Sequence, residues 1–185
     1  MKRTKVTNPA DSTTSTLDKL YIGIDNGVSG SIGWSGVCSS RLVRVHVFGQ
    51  SRTPIFSQQN YTKAKGNITR IDSNQFRFMI KQLTRNNNTL VLIERPMVNP
   101  GRFKATISAI RALEATQVIL ERLELPYQFI DSKEWQKGIL PSGVKGSTEL
   151  KQAGLDIAKR IFPTVVCKPD ADGILIAEWA RRKGL

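Results

Sequence analysis

Three carboxylates stand where a backbone can aim them at one point. Asp25 closes the apolar run 20–24, Glu94 closes the run 90–93, and Asp172 opens the stretch 172–179, which has the pattern of a helix start. Neighbouring strands lie about 5 Å apart, so acids at the same end of two central strands can share a site. Packed that closely, bare carboxylates repel one another. A hard divalent cation removes the penalty and takes oxygen ligands by preference. Each acid also has a plainer reading, since polar residues open the loops after strands and Asp at a helix start is an ordinary N-cap. Three together, two of them on strand ends, point to a metal-dependent nuclease.

Charge supports a polyanionic partner. Among 185 residues, 28 Lys and Arg face 15 Asp and Glu, a formal charge of +13. A phosphate backbone fits that imbalance better than an anionic membrane surface. A basic protein that puts its few carboxylates on strand ends is using them. Cys38, Cys167 and the lone His46 have no zinc-ligand spacing. The cysteines read as reduced, half-buried thiols, which suits the cytoplasm. No apolar run approaches the ~20 residues needed to span a bilayer, so no membrane partner is expected. Residues 1–18 are polar, Thr/Ser-rich and without the apolar core of a signal peptide. They are expected to form a disordered tail whose Lys2, Arg3 and Lys5 touch phosphate nonspecifically, ahead of one domain over 19–185.

The elements that must position the acids follow from periodicity. Runs 20–25, 31–38 and 42–48, separated by Gly/Ser signals, predict an antiparallel meander. In the third run Leu42, Val45 and Val47 alternate with Arg44 and His46, which makes His46 an exposed strand residue. Stretch 50–71 is polar and reads as a long loop, mixing Arg52, Phe56, Tyr61, Lys63, Lys65 and Arg70 in a way that could hold a backbone and stack on a base. Helices are predicted over 72–86, 104–125, 148–162 and 172–183, with strands ending at Glu94 and over 127–130, and a turn capped by Asp131-Ser132. Ile107, Ile110, Leu113, Leu120 and Leu123 form one stripe on the longest helix, long enough for both core and interface. A meander feeding parallel strands through crossover helices gives an α/β fold with a mixed five-stranded sheet, three antiparallel strands then two parallel, flanked by helices. Asp25 and Glu94 would then be neighbours at its centre.

Several segments resemble a known family. Ile22-Gly23-Ile24-Asp25-Asn26-Gly27-Val28-Ser29-Gly30 is similar to the first motif of RuvC-type Holliday-junction resolvases, which have the RNase H fold. Ile93-Glu94-Arg95-Pro96, followed by Ser108-Ala109-Ile110-Arg111-Ala112-Leu113-Glu114, resembles the second, especially as phage-encoded members show it. Trp135-Gln136-Lys137, Ile161-Phe162-Pro163 and Ala171-Asp172-Gly173-Ile174-Leu175-Ile176-Ala177 resemble the C-terminal part. The order is right, and together the motifs are far more specific than any one of them.

The resemblance implies a homodimeric enzyme that nicks opposite strands of a four-way junction, leaving 5′-phosphate and 3′-hydroxyl ends. It implies that Asp25, Glu94 and Asp172 bind two Mg²⁺ ions, or Mn²⁺ in their place. The family's fourth carboxylate lies about one helical turn before the third. Here Pro169 holds that position, and Asp170 reaches the site only from extended backbone just ahead of the helix. Some members place an aromatic wedge soon after the second motif's Glu, where this chain has Met97. The expected phosphate contacts are Lys133, Lys137, Lys145 and Lys151, with Arg102 and Lys104 beside the Pro/Gly loop; Trp135 is expected to pack. The first motif also resembles the phosphate loop of actin-like ATPases and sugar kinases, but the second Asp-x-Gly motif they require is missing. A nuclease acting on forked DNA or RNA-containing substrates, or a noncatalytic junction-binding module, would use the same fold.

Overall fold

A computed structural model describes residues 16–39, 44–61, 66–85, 87–167 and 169–185. Lys63, Lys65, Leu42 and the first fifteen residues of the expected tail lie outside them. Strands β1 (Thr16–Ile24), β2 (Ser31–Ser39) and β3 (Arg44–Arg52) form the meander, and β6 (Thr89–Glu94) and β7 (Tyr127–Ile130) complete the sheet. The order is β3-β2-β1-β6-β7. β1 pairs antiparallel with β2 and parallel with β6, and β6 is parallel to β7. This is the mixed sheet that the sequence pattern predicts. β1 opens at Thr16 and so takes in three residues of the stretch expected to be a tail.

Both sheet faces are covered, so its central strands read as unbroken apolar runs. Helices α1 (Ser73–Thr84) and α2 (Phe103–Arg122) cover one face, where Ile22, Ile24, Val91 and Ile93 meet Phe76, Ile80 and Leu120. The opposite face carries α3 (Ser132–Ile139), α4 (Ser147–Ile161) and α5 (Asp172–Lys183), with Tyr21 and Leu92 against Trp135, Ile174 and Ile176. Side chains alternate along a strand. Because Ile24 and Ile93 point toward α1 and α2, the next residues, Asp25 and Glu94, point toward α5. Helix α5 lies unusually close to the sheet. A Cβ on Gly33 would stand 2.1 Å from Ile174 N, and one on Gly23 would stand 2.3 Å from Gly173 O.

Three expectations need correction. Stretch 50–71 is no open loop: β3 runs to Arg52, and β4 (Ile55–Gln59) pairs with β5 (Asn67–Ile71) in a separate hairpin. The 132–139 segment is helix α3 rather than a turn, and Asp131 offers it no side-chain cap, pairing instead with Arg95 at 3.1 Å. In β3 Val45 (49%) and Val47 (37%) are exposed, whereas His46 turns inward beside Phe48 and Phe162. Helix α5 packs on that inner face, and His46 gains a polar partner there in Glu178.

Candidate active site

Asp25 follows β1 and Glu94 ends β6; the strands are in register at Ile24 and Ile93, so the two carboxylates leave the sheet side by side. The turn after Asp25 is closed by Asp25 N–H donating to Ser31 O (3.0 Å) and Gly30 N–H to Gly27 O (3.2 Å). Asn26 Nδ2 donates to Ala109 O of α2 at 3.1 Å, tying that turn to the helix.

Three side-chain acceptors then fix the start of α5, whose leading N–H groups have no partner within the helix. Asp172 N–H donates to Asp170 Oδ1 (3.0 Å), Gly173 N–H to Ser31 Oγ (3.1 Å) and Ile174 N–H to Gln50 Oε1 (3.0 Å). Gln50 Nε2 also donates to Asp170 O at 2.7 Å, and Ser31 Oγ donates to Asp170 Oδ2. The last link between the meander and the acids is therefore made by Ser31 and Gln50, which no sequence motif marked.

The result brings Asp25, Asp170 and Asp172 together, each offering an oxygen within 4.8 Å of the others. Asp170 gets there from the extended segment ahead of α5. Glu94 stands outside that tight group but lines the same cleft as Asp25 and Asp172, with Ser132, Arg102 and Lys151. Burial, and then the charges of Asp170, Glu94 and Asp172, push Asp25 well above the usual carboxylate range. Glu94 is raised to about 7 by burial and by Asp172, against the pull of the Trp135 indole and the Ser132 hydroxyl. The buried indole N–H nevertheless falls short of a regular hydrogen bond. Asp172 also rises to about 7 through burial and Asp170, with Lys151 opposing. Oxygen-only donors that raise one another's pKa are the chemistry a hard divalent ion relieves, so these residues fit such an ion.

Of the expected phosphate contacts, Arg102 and Lys151 line the cleft. Lys133, Lys137, Lys145 and Lys104 are exposed, on α3, before α4 and in the first turn of α2, and form no part of its walls. Met97 is 81% exposed at the cleft's edge, and Trp135 packs in the core at 1%.

A second polar cluster could suggest nucleophilic catalysis. Ser35 Oγ lies 2.8 Å from His46 Nε2 and donates to Glu178 Oε2 at 2.9 Å. Ser35, however, is 0% exposed and Glu178 1%, so no substrate reaches the hydroxyl. Burial pushes Glu178 up, but hydrogen bonds from Arg181, Arg182 and Ser35 outweigh it and hold the carboxyl at about 2. The cluster is a buried ionic anchor.

No model of a known family matches the chain, and no curated protein matches its sequence. By fold it is similar to T. thermophilus RuvC in complex with a Holliday junction substrate, at TM-score 0.52 and 13% identity over 90% of this chain and 96% of that one. A second Thermus thermophilus RuvC structure gives TM-score 0.49 and 15% identity, over 89% and 96%. The first likeness shows a RuvC-type, RNase H-like fold. Among the described residues, no helix is long and apolar enough to cross a membrane.

Proposed function

We propose that the chain is a divalent-metal-dependent endonuclease that resolves four-way DNA junctions by paired nicks, acting as a homodimer. The observation that carries this reading is the convergence of Asp25, Glu94, Asp170 and Asp172 at one end of the two central strands of a RuvC-type sheet. The solved RuvC on that fold is bound to a Holliday junction, and the +13 charge suits a phosphate backbone.

In this reading the three Asp side chains and Glu94 would hold two Mg²⁺ or Mn²⁺ ions, which would lower the pKa of the attacking water and neutralise charge gathering at phosphorus. Water oxygen bonds to phosphorus as the bond to the 3′ oxygen breaks, leaving a 5′-phosphate and a 3′-hydroxyl. Ser31 and Gln50 fix Asp170 and the first turn of α5, so the acids are set before substrate arrives. Lys151 and Arg102 face the substrate backbone from the cleft wall. Support for the dimer comes from α2, where Phe103 (70%), Ile107 (36%), Ile110 (43%) and Val118 (41%) form an exposed apolar stripe. Ile107 and Ile110 were expected to share one stripe with Leu120, which alone of the three is buried.

The test is cleavage of a synthetic four-way junction, with linear duplex, Y-fork and RNA–DNA hybrid controls, with and without Mg²⁺. Paired nicks near the branch that need metal and vanish in Asp25→Asn are expected. Equal cutting of forks, or preference for hybrids, would move the same chemistry to a broader or RNA-directed role. Tight junction binding with no cutting in Mg²⁺ or Mn²⁺ would make the protein a binding module.

A further inference from the structure

A second cleft abuts the acidic one across the 25–30 turn. Its walls include Val28 from that turn, Arg70 from β5, and Ser108, Arg111, Ala112 and Ala115 from α2. The acidic cleft uses Ala105, Thr106 and Ala109 of the same helix, so the two share α2 as a common wall. No carboxylate lines the second cleft, and among the described residues neither Arg70 nor Arg111 makes an ion pair.

The two guanidiniums are held without being neutralised. Arg70 lies over the Phe56 ring at 5.9 Å and donates to Gln58 Oε1 at 3.3 Å. Arg111 lies over the Tyr61 ring at 5.7 Å and donates from Nη1 to Tyr61 Oη at 2.9 Å. Aromatic faces fix the planes of both groups and leave their charge unsatisfied. Arg111 Nε is buried without an acceptor, an uncommon state for a charged donor. Tyr61 is 67% exposed and Phe56 39%, so ring surface stays open beside each cation.

We infer that this cleft is an anion subsite that takes a backbone phosphate of the nucleic acid other than the one being cut, with Tyr61 offering its face to an adjacent base. The assignment rests on the nucleic-acid reading of the neighbouring cleft. Both guanidiniums line one cleft that holds no carboxylate, and a phosphodiester seated there would accept N–H bonds from them. Exposed aromatic surface beside it is where an unpaired base gains stacking energy. The β4–β5 hairpin thereby acquires a role: it carries Arg70, Phe56 and Tyr61 to the flank of the site.

The experiment measures four-way junction binding against salt in metal-free buffer, where no cleavage competes. The double variant Arg70→Gln/Arg111→Gln should bind about tenfold more weakly, with the slope of log affinity against log salt reduced by about one. Its melting temperature reports folding. If the double variant does not fold, Arg70→Gln alone, on an exposed strand, must show a smaller loss in the same sense. Arg111→Lys keeps the charge and loses the fork, so it should retain the slope while weakening binding. A folded double variant with unchanged affinity and slope overturns the subsite, as does a wild type that binds no nucleic acid. A wild type that binds here and does not cut when Mg²⁺ or Mn²⁺ is added overturns the nuclease reading and leaves this one standing.

Discussion

Burial and mutual repulsion raise Asp25, Glu94 and Asp172 together, so the metal-free cluster holds protons close to neutral pH. In an unfolded chain such carboxyls titrate near 4; folded, Glu94 and Asp172 titrate at about 7. Between those values the native state binds more protons than the unfolded state, so the cluster's contribution to stability falls as pH rises through the window. Burial lowers His46, which acts in the opposite sense over part of that range. The informative quantity is therefore the difference between Asp25→Asn and wild type. Metal-free Asp25→Asn should melt above wild type at pH 8, by about 2–4 °C for each kcal/mol of repulsion removed, and the gap should shrink at pH 5.5. A gap that does not change with pH would separate Asp25 from the cluster. Glu178 works lower on the scale: its charge contributes stability fully above about 4.5, and this is lost as pH falls toward 2. Glu178→Ala should cost about 3 kcal/mol in chemical denaturation, the lower end for breaking a buried pair, because Arg181 and Arg182 keep access to water. A cost under about 1 kcal/mol would make the anchor no stronger than a surface pair.

The position of α5 is set by the absence of side chains beneath it. Gly33→Ala puts a methyl 2.1 Å from Ile174 N and 2.2 Å from Ile174 Cα, backbone atoms that cannot rotate away. The expected cost is about 1–3 kcal/mol or more. Mg²⁺ affinity, read by calorimetry, should fall as well, since Asp172 is two residues from the clash. A destabilised variant with wild-type Mg²⁺ affinity would show that the helix's approach does not set the site. β1 and β6 were legible because burial on both faces writes an unbroken apolar run that ends in an acid, and α5 because its buried apolar run opens with one. The hairpin was not, because its strands are exposed and polar, and only Ile71 among their residues is buried. Helix α3 spans 8 residues and buries just Trp135 and Ile139, too little for a periodic signal. His46 was assigned to the wrong face because alternation gives two faces and says nothing of which one a helix will cover. Asp25, Glu94 and Asp172 ended or opened readable elements. Ser31 holds the acids through contacts 139 and 142 residues away and Gln50 through contacts 120 and 124 away, separations no local pattern reports.

Over the whole molecule, basic charge and apolar surface are divided between different tasks. In the proposed dimer the exposed stripe of α2 would face a second copy, and Ile110→Arg should yield a monomer by light scattering. Nicks at a junction should then fall singly rather than in pairs, while the cleavage chemistry itself survives. A dimer that persists would place the interface elsewhere. The separation of the acids has a consequence for how the protein is made. Asp25 is synthesised early, Asp170 and Asp172 only with α5, and α5 packs against β1 and β2. A ribosome-bound chain that has produced everything through α4 therefore carries half of the carboxylates and lacks the helix that sets the rest. Under the proposed chemistry, hydrolytic competence arrives as α5 docks, so the nascent enzyme is harmless to the nucleic acid around it until its core is closed.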